Sequence, residues 1–558
     1  MHALLAPSLL YPLPIGDAAR LTLMVVLASP TPQWLLRFIA LANGSVRLRV
    51  MTVQLPLAAI ADADIDPEPA LPSDVRAVLA LERLAMPLLS PLLAMPPWQP
   101  MQMLKTDQVQ DIERCADMAT LQRMLQEFRP QLVLDATGRL AKTGYCQAVG
   151  AGCWSLAAEL LRPATAGASL LAASLRGDSS VRIALQREDA DGQVTLMSES
   201  WGASRPLSLL QHRDAALLKL PALLMRGIRQ WLAVPPAQRG STPQDARIRL
   251  APTATVDAPR WGQGVRALAR SAVLLLQSPR RRRRARQPWF VLVADGERPV
   301  DPERPRLQRF AALVAPGKDY WADPFPLQHH GKRLLFVEQY LDAAQRGVIS
   351  CLQLDEGNRP QHLGIILDEP FHLSYPRVFR WQDEWYMTVE SAEGLQVRLY
   401  RCVDFPLRWS WTANLLENRE CVDPTLHYRD GYWYLFGNVS ETGANPSDEL
   451  FLFVSRDLAG PYLPHPCNPI VADARRARSA GGIIERDGRW FRPAQCCCPI
   501  YGSAVVFNQI TTLTPTEYAE HPVGTLAADM LPDLDGCHTY NVDGDFEVVD
   551  AHGVPPAH

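Results

Sequence analysis

The sequence lacks any apolar run near the roughly 18 residues that a membrane-crossing helix requires, so no such span is expected. It also lacks a Cys-x-x-Cys pair and any zinc-ribbon spacing among its 11 cysteines. Three of these are consecutive, Cys496 to Cys498, and adjacent residues on a strand point to opposite faces, which disfavours one shared metal site. Free thiols in a reducing compartment are the expectation. Charge imbalance is missing too: a net charge of −3 over 558 residues gives no global pull toward nucleic acid or anionic lipid, so any basic site must be local. The opening MHALLAPSLLYPLPIGDAAR has no basic stretch and is broken by prolines, which argues against a signal peptide. What remains is a 47% hydrophobic chain too long for one core, so two or three domains are expected.

In the first half, LTLMVVL (Leu21 to Leu27) reads as a buried parallel strand, Pro32 to Asn43 as a helix and RLRVMTV (Arg47 to Val53) as a second strand. A helix over Leu121 to Phe128 feeds RPQLVLDATG, where Leu132 to Leu134 ends in Asp135 and a turn at Gly138. This alternation predicts a doubly wound α/β (Rossmann-like) domain over residues 1–235, closed by one long amphipathic helix from Leu207 to Leu232. RPQLVLDATG, GAGCWSL and the antiparallel-looking VRIALQRED and VTLMSESW resemble the formyltransferase fold of the methionyl-tRNA formyltransferase type. The family's Asn and His are absent from CWSLAAELLRP, so the resemblance implies a remodelled structural or acceptor-binding module.

Residues 236–288 read as a linker, with a helix over Trp261 to Ser278 and the run RRRRRAR from Arg280 to Arg286. That run is either a solvated linker or a peripheral contact with an anionic membrane surface.

The remainder, 289–558, repeats itself. Hairpin motifs start at Pro324, Pro376, Pro424, Gly482 and Thr539, an interval of roughly 50 residues that marks propeller blades. Asp-Gly at 430/431, 487/488 and 543/544 supplies tight turns. Five blades are predicted, with WFVLVAD (Trp289 to Asp295) joining the last to close the ring. Innermost strands would then bring Asp323, Tyr375, Asp423, Arg478 and His538 to one mouth of the central channel. Their hairpin partners would end there with Glu338, Glu390, Asn438, Gln495 and Asp550. Proline after Asp323 and Asp423 suits a strand's first residue, where no ladder donor is needed, and biases each aspartate to extended geometry. Carboxylates converging through a repeat raise one another's pKa and so invite a use or a counterion.

Asp-Pro in the first inner strand is similar to the furanosidase propellers, the arabinanases, β-xylosidases and invertases. That resemblance implies catalytic carboxylates in blades one to three and an axial His; Asp323 and His538 fit, Tyr375 stands where the second Asp belongs, and Asp423 replaces a Glu. More motifs, WADPF, FHLSYPRVF, TVES, FPLRW, VDPTL, GPYLPHPCNPI, ARSAGG, RPAQ and HTYN, resemble the propeller domain at the N-terminal side of plant glucosamine inositolphosphorylceramide transferases and of many bacterial proteins of surface-polysaccharide synthesis. It implies a carbohydrate context.

The resulting expectation is a bacterial, cytoplasmic, peripherally inner-membrane-associated glycosyltransferase. It would use a phosphate-activated sugar donor and a glycan or lipid-linked acceptor, and no nucleic acid. Asp323, Glu390 and Asp423 would be catalytic. Arg478 and Arg492 would meet donor phosphate, His538 and Gln495 the sugar, with Glu338 beside them. Trp321, Tyr375, Tyr501 and Tyr540 would offer aromatic platforms. No dedicated metal motif is present and the cofactor stays unknown; an axial calcium ion is left open. The rivals are a furanosidase-like hydrolase and a non-catalytic glycan-binding module.

Overall fold

The computed structural model describes residues 21–27, 31–44, 48–55, 71–92, 103–104, 112–136, 153–156, 168–188, 194–205, 207–233, 260–276, 288–294, 299–306, 310–439, 445–527 and 534–555. The chain divides into two compact units, Met1–Leu276 and Gln277–His558. The Arg280 to Arg286 run and the Gly138 turn lie outside the described residues. Among the described residues, no helix is long and apolar enough to cross a membrane.

The first unit is built on a mixed sheet. Its strands run in the order Ile112–Arg114, Leu48–Gln54, Leu21–Leu27, Leu132–Asp135, Cys153–Leu156, Ser180–Glu188 and Val194–Ala203. The first five are parallel, and the last two add as an antiparallel hairpin. Met24, Val26, Val53 and Val133 bury one face of the sheet against Leu121 and Leu125 of the helix Met118–Phe128. That helix starts where Asp117 accepts the Thr120 N–H at 2.7 Å, and ends at left-handed Arg129.

The single helix expected over Leu207 to Leu232 is two, Leu209–Leu217 and Leu220–Ala233. Pro221 has no N–H to return to Leu217, so the ladder breaks there. Lys219, at the break, sends its Nζ to the Trp201 carbonyl at 2.8 Å. The helix expected near Trp261 to Ser278 spans Gln263–Leu276 and packs within this unit. Asp74 Oδ2 caps it by accepting the Gly262, Gly264 and Val265 N–H groups.

The second unit is a five-bladed β-propeller. Blade one comprises Tyr320–His329, Lys332–Leu341, Arg346–Leu354 and Pro360–Leu367; blade two Ser374–Trp381, Glu384–Ser391, Gln396–Asp404 and Arg408–Glu417. Blade three comprises Cys421–Arg429, Tyr432–Val439, Phe451–Ser455 and Leu463–Pro464. In blade four the inner strand is split into Arg478–Ser479 and Ile484–Arg486, followed by Arg489–Cys496, Ala504–Leu513 and Tyr518–Ala527. Blade five takes Tyr540–Asp543 and Phe546–Gly553 from one end of the unit and Trp289–Ala294 and Phe310–Leu313 from the other. Closure through Trp289–Ala294 is as the sequence implied, and it covers sheet edges that would otherwise stay unpaired.

Candidate functional site

The backbone places the site first. In blades one to three the inner strand is interrupted by a two-residue bulge, between Ala322 and Phe325, Ser374 and Arg377, and Val422 and Thr425. Each bulge is an X-Pro pair, and X is left-handed: φ is 47° at Asp323, 53° at Tyr375 and 49° at Asp423. The extended geometry expected of Asp323 and Asp423 before proline is therefore wrong, and Tyr375 shares their left-handed turn. Proline still serves, because the bulge needs no ladder donor at that point. A left-handed non-glycine costs on the order of 1–2 kcal/mol, so something must hold it. Carboxylates from the neighbouring blade do so twice. Asp550 Oδ2 accepts the Asp323 N–H at 3.0 Å, and Glu390 Oε2 accepts the Asp423 N–H at 2.8 Å. Between blades three and four Asn438 Oδ1 accepts the Ser479 N–H at 3.1 Å, where no left-handed turn needs holding.

These contacts gather an acidic centre. Asp323 is 4% exposed; its Oδ1 accepts from the Thr539 hydroxyl at 2.6 Å and lies 3.5 Å from His538 Nε2. Burial, then the carboxylates of Asp423 and Asp550, push Asp323 up to about 6 against the pull of His538. Burial also pushes Glu338 and Glu390 well above the usual carboxylate range, and Asp423 adds to both. At Glu338 the carboxylates of Asp323, Glu390 and Asp550 contribute as well, whereas at Glu390 Arg478 opposes the rise. Glu338 faces His372 Nε2 at 3.4 Å; His372 Nδ1 accepts the Gly347 N–H, which leaves the ring proton on Nε2.

Asp423 is held differently. Its Oδ2 accepts from Arg478 Nε at 2.6 Å and from Gln495 Nε2 at 2.9 Å. Burial opposes the Arg478 charge, but Asp423 and Glu390 raise its pKa well above the ordinary value, so it stays a cation. Its guanidinium lies 4.8 Å from the ring centroid of Tyr501, which is 44% exposed. His538 lies with Nδ1 2.7 Å from Asp550 Oδ1, and its ring packs on Trp289 at 4.1 Å. Burial lowers its affinity for a proton; Asp550, Asp323 and Asp423 more than restore it, so its pKa is raised.

The sequence candidates thus divide. Asp323, Glu338, Glu390, Asp423, Arg478, Gln495 and His538 are brought together. Four others are not. Trp321 is 3% exposed and packs with Val293 and Val337 in the core. Tyr375 is fully buried: its hydroxyl pairs with Thr425 Oγ1 at 3.0 Å and accepts the Gly481 N–H, so it joins blades two, three and four and offers no sugar platform. Arg492 is 1% exposed and holds Glu520 with two hydrogen bonds of 2.8 and 2.7 Å, so it cannot reach a donor phosphate. Tyr540 is likewise buried, with its hydroxyl on Glu547. Sequence reasoning missed Thr539 and His372. It named Asp550 as a strand end without giving it a role, although its position is equivalent to that of Glu390.

Asp323, His538 and Asp550 also bring one ligand atom each within 4.8 Å of one another, a set that could take a metal ion. The two carboxylates suit calcium; the imidazole does not, since calcium prefers oxygen donors. Asp550 Oδ1 also already accepts the His538 and Thr539 N–H groups, and His538, whose pKa is raised by the carboxylates around it, brings positive charge here once protonated.

Residues 311–533 match the family described as Glucosamine inositolphosphorylceramide transferase 1, N-terminal. A protein named glucosamine inositolphosphorylceramide transferase 1 from Oryza sativa subsp. japonica is 35% identical over 209 residues, covering 37% of this chain and 28% of that protein. Its Arabidopsis thaliana namesake is 34% identical over 206 residues, covering 36% and 27%. The chain therefore spans little more than a quarter of the length of these relatives. Among solved structures, the family 117 glycoside hydrolase Zg3597 of Zobellia galactanivorans is 11% identical with a TM-score of 0.31, covering 48% of this chain and 89% of that one. A GH43_1 enzyme from Xanthomonas citri complexed with xylose is 15% identical with a TM-score of 0.30, covering 42% and 86%. Likeness at that level carries no argument about function.

These relatives correct two expectations. They are plant proteins, which overturns the bacterial assignment. Their names tie them to inositolphosphorylceramide, a membrane sphingolipid, which overturns the cytoplasmic one.

Proposed function

We propose that this chain is a sugar transferase of glycoconjugate assembly, taking a phosphate-activated donor at the channel mouth and a glycan or lipid-linked acceptor. One observation carries the reading: carboxyls of different proton affinity meet in one place beside a cation and an exposed aromatic ring. Such a division assigns acid and base roles. Asp323, titrating near neutrality, would take the proton of the acceptor hydroxyl. Glu390, kept protonated and partly exposed, would donate a hydrogen bond to the sugar. Arg478 would meet the donor phosphate, where a guanidinium fork suits paired oxygens. Tyr501 would stack on the sugar face, with Asp423 and Gln495 holding Arg478 in place. For the first unit, the formyltransferase-like reading is kept as an acceptor-binding scaffold, supported by five parallel strands extended by a hairpin.

Thermal shift with nucleotide sugars, sugar 1-phosphates and free sugars, followed by transfer assays, tests this. The expected result is a melting-point rise with an activated sugar that Arg478→Met abolishes, and turnover that Asp323→Asn loses while binding persists. Release of sugar from aryl furanosides by water alone would instead make the protein a hydrolase. The engagement of Asp423, Glu390 and Asp550 by internal partners favours a second reading, a glycan-binding module. Sugar binding without turnover of any donor would select it.

A further inference from the structure

We infer that the interior of the propeller channel binds a tetrahedral oxyanion, phosphate or sulfate in class, on Arg377 and His427. Arg377 follows Tyr375 by two residues on the inner strand of blade two. Its guanidinium makes no hydrogen bond or ion pair among the described residues, and its Nε is buried without a partner. Across the channel, a Cβ on Gly482 would lie 2.1 Å from Arg377 Nη1, so the missing side chain of blade four leaves the room the guanidinium occupies. His427, on the inner strand of blade three, also has a buried Nε2 without a partner. Thr388, opposite Arg377 in the register and so on the same face, has a third such atom, its hydroxyl.

The contrast with other guanidinium groups of the propeller is what gives this weight. Arg492 has Glu520 and Arg478 has Asp423. Around Arg377, burial depresses the pKa with no carboxylate to offset it, Tyr375 giving the only opposing influence. Burial, then Arg377 and Arg429, push His427 down to about 4, so it is a neutral ring able to donate from Nε2. A half-buried cation whose Nε is cut off from water and from any partner is costly to hold, and the surroundings supply no carboxylate to offset it. A tetrahedral anion offers two oxygens to the guanidinium fork and a third to His427, satisfying all of them together. The inference stands apart from the sugar-transfer reading: the anion is either a free inorganic ion or the phosphoryl group of a larger ligand.

The test is a melting curve of the full chain in anion-poor buffer, titrated with inorganic phosphate, sulfate or a sugar 1-phosphate, for the natural protein, Arg377→Met and Gly482→Ala. Phosphate at a hundred times its Kd is expected to raise the natural protein's Tm by about 5 °C. Both variants are expected to lose that rise, and Arg377→Met to melt no lower than the natural protein when no anion is present. Response to the sugar phosphate but not to inorganic phosphate would place the anion on a ligand and keep the site. Equal responses in the natural protein and a folded variant would overturn it, as would calorimetry on the natural protein that detects no binding of any of the three at millimolar concentration.

Discussion

Blades one and three carry Asp-Pro at their bulge and blade two carries Tyr-Pro, yet the residue before proline adopts the same left-handed turn in all three. The backbone device is therefore a property of the repeat, and the side chain placed on it is a separate choice. Aspartate at that position reaches the charged centre, where His538, Thr539 or Arg478 receive it. Tyrosine at the same position turns into the packed interior against Phe325, 4.9 Å between ring centroids, and ties down Gly481. One geometry thus yields an ionisable group twice and a structural pin once.

The strongest way to break the comparison is to remove what holds the bulge of blade one. Asp550 accepts the N–H groups of Asp323, His538 and Thr539. Asp550→Ala is expected to cost about 3–5 kcal/mol, read from the urea midpoint, with Asp550→Asn recovering part. A loss under about 1 kcal/mol would mean that the turn holds itself.

Next, Tyr375→Asp makes blade two look like its neighbours. If the tyrosine is a pin, the variant loses about 2–4 kcal/mol, since a carboxylate enters a packed site and the Gly481 N–H loses its acceptor. Tyr375→Phe should lose only about 1 kcal/mol. Equal stability of Tyr375→Asp and the natural protein would mean that blade two tolerates the same chemistry as blades one and three.

The smallest effect concerns pH. Asp323 titrates at about 6 in the folded chain, above the ordinary carboxylate value near 4. Folding therefore favours its protonated form, a stabilisation complete below about pH 4 and lost as pH rises through 6. His538, also raised, acts in the same direction: its contribution is complete below its unfolded value near 6.5 and disappears as pH climbs past its folded one. Subtracting the stability curve of Asp323→Asn from that of the natural protein should leave a decline of about 2 kcal/mol between pH 4 and 7. A difference that rises with pH would mean that folding favours the ionised form of Asp323 instead.

The blades were legible because hairpins are local. Asp430-Gly431 and Asp487-Gly488 do turn with positive φ at both residues, and the interval between motifs fixes how many sheets follow one another. The rim group was legible in part, since the start of one strand and the end of its partner must share an edge. Parity held a clue that went unused: Arg492 and Gln495 are three apart on one strand and so point to opposite faces, which separates the buried Glu520 pair from the site. Tyr375 and Trp321 were harder. A two-residue bulge interrupts the alternation of faces, and nothing in YWADPF or LSYPRVF announces a left-handed turn.

By itself, then, the sequence determined the five repeated hairpins, the closing strand at Trp289–Ala294, the α/β alternation of the first unit and the set of polar groups at the strand ends. These follow from short-range periodicity and turn chemistry. Only the tertiary structure decided which of those groups face one another, which cation has a partner and which is left without one. That choice depends on side chains arriving from different blades, some more than two hundred residues apart, and charge is balanced across space, with no regard for position along the chain.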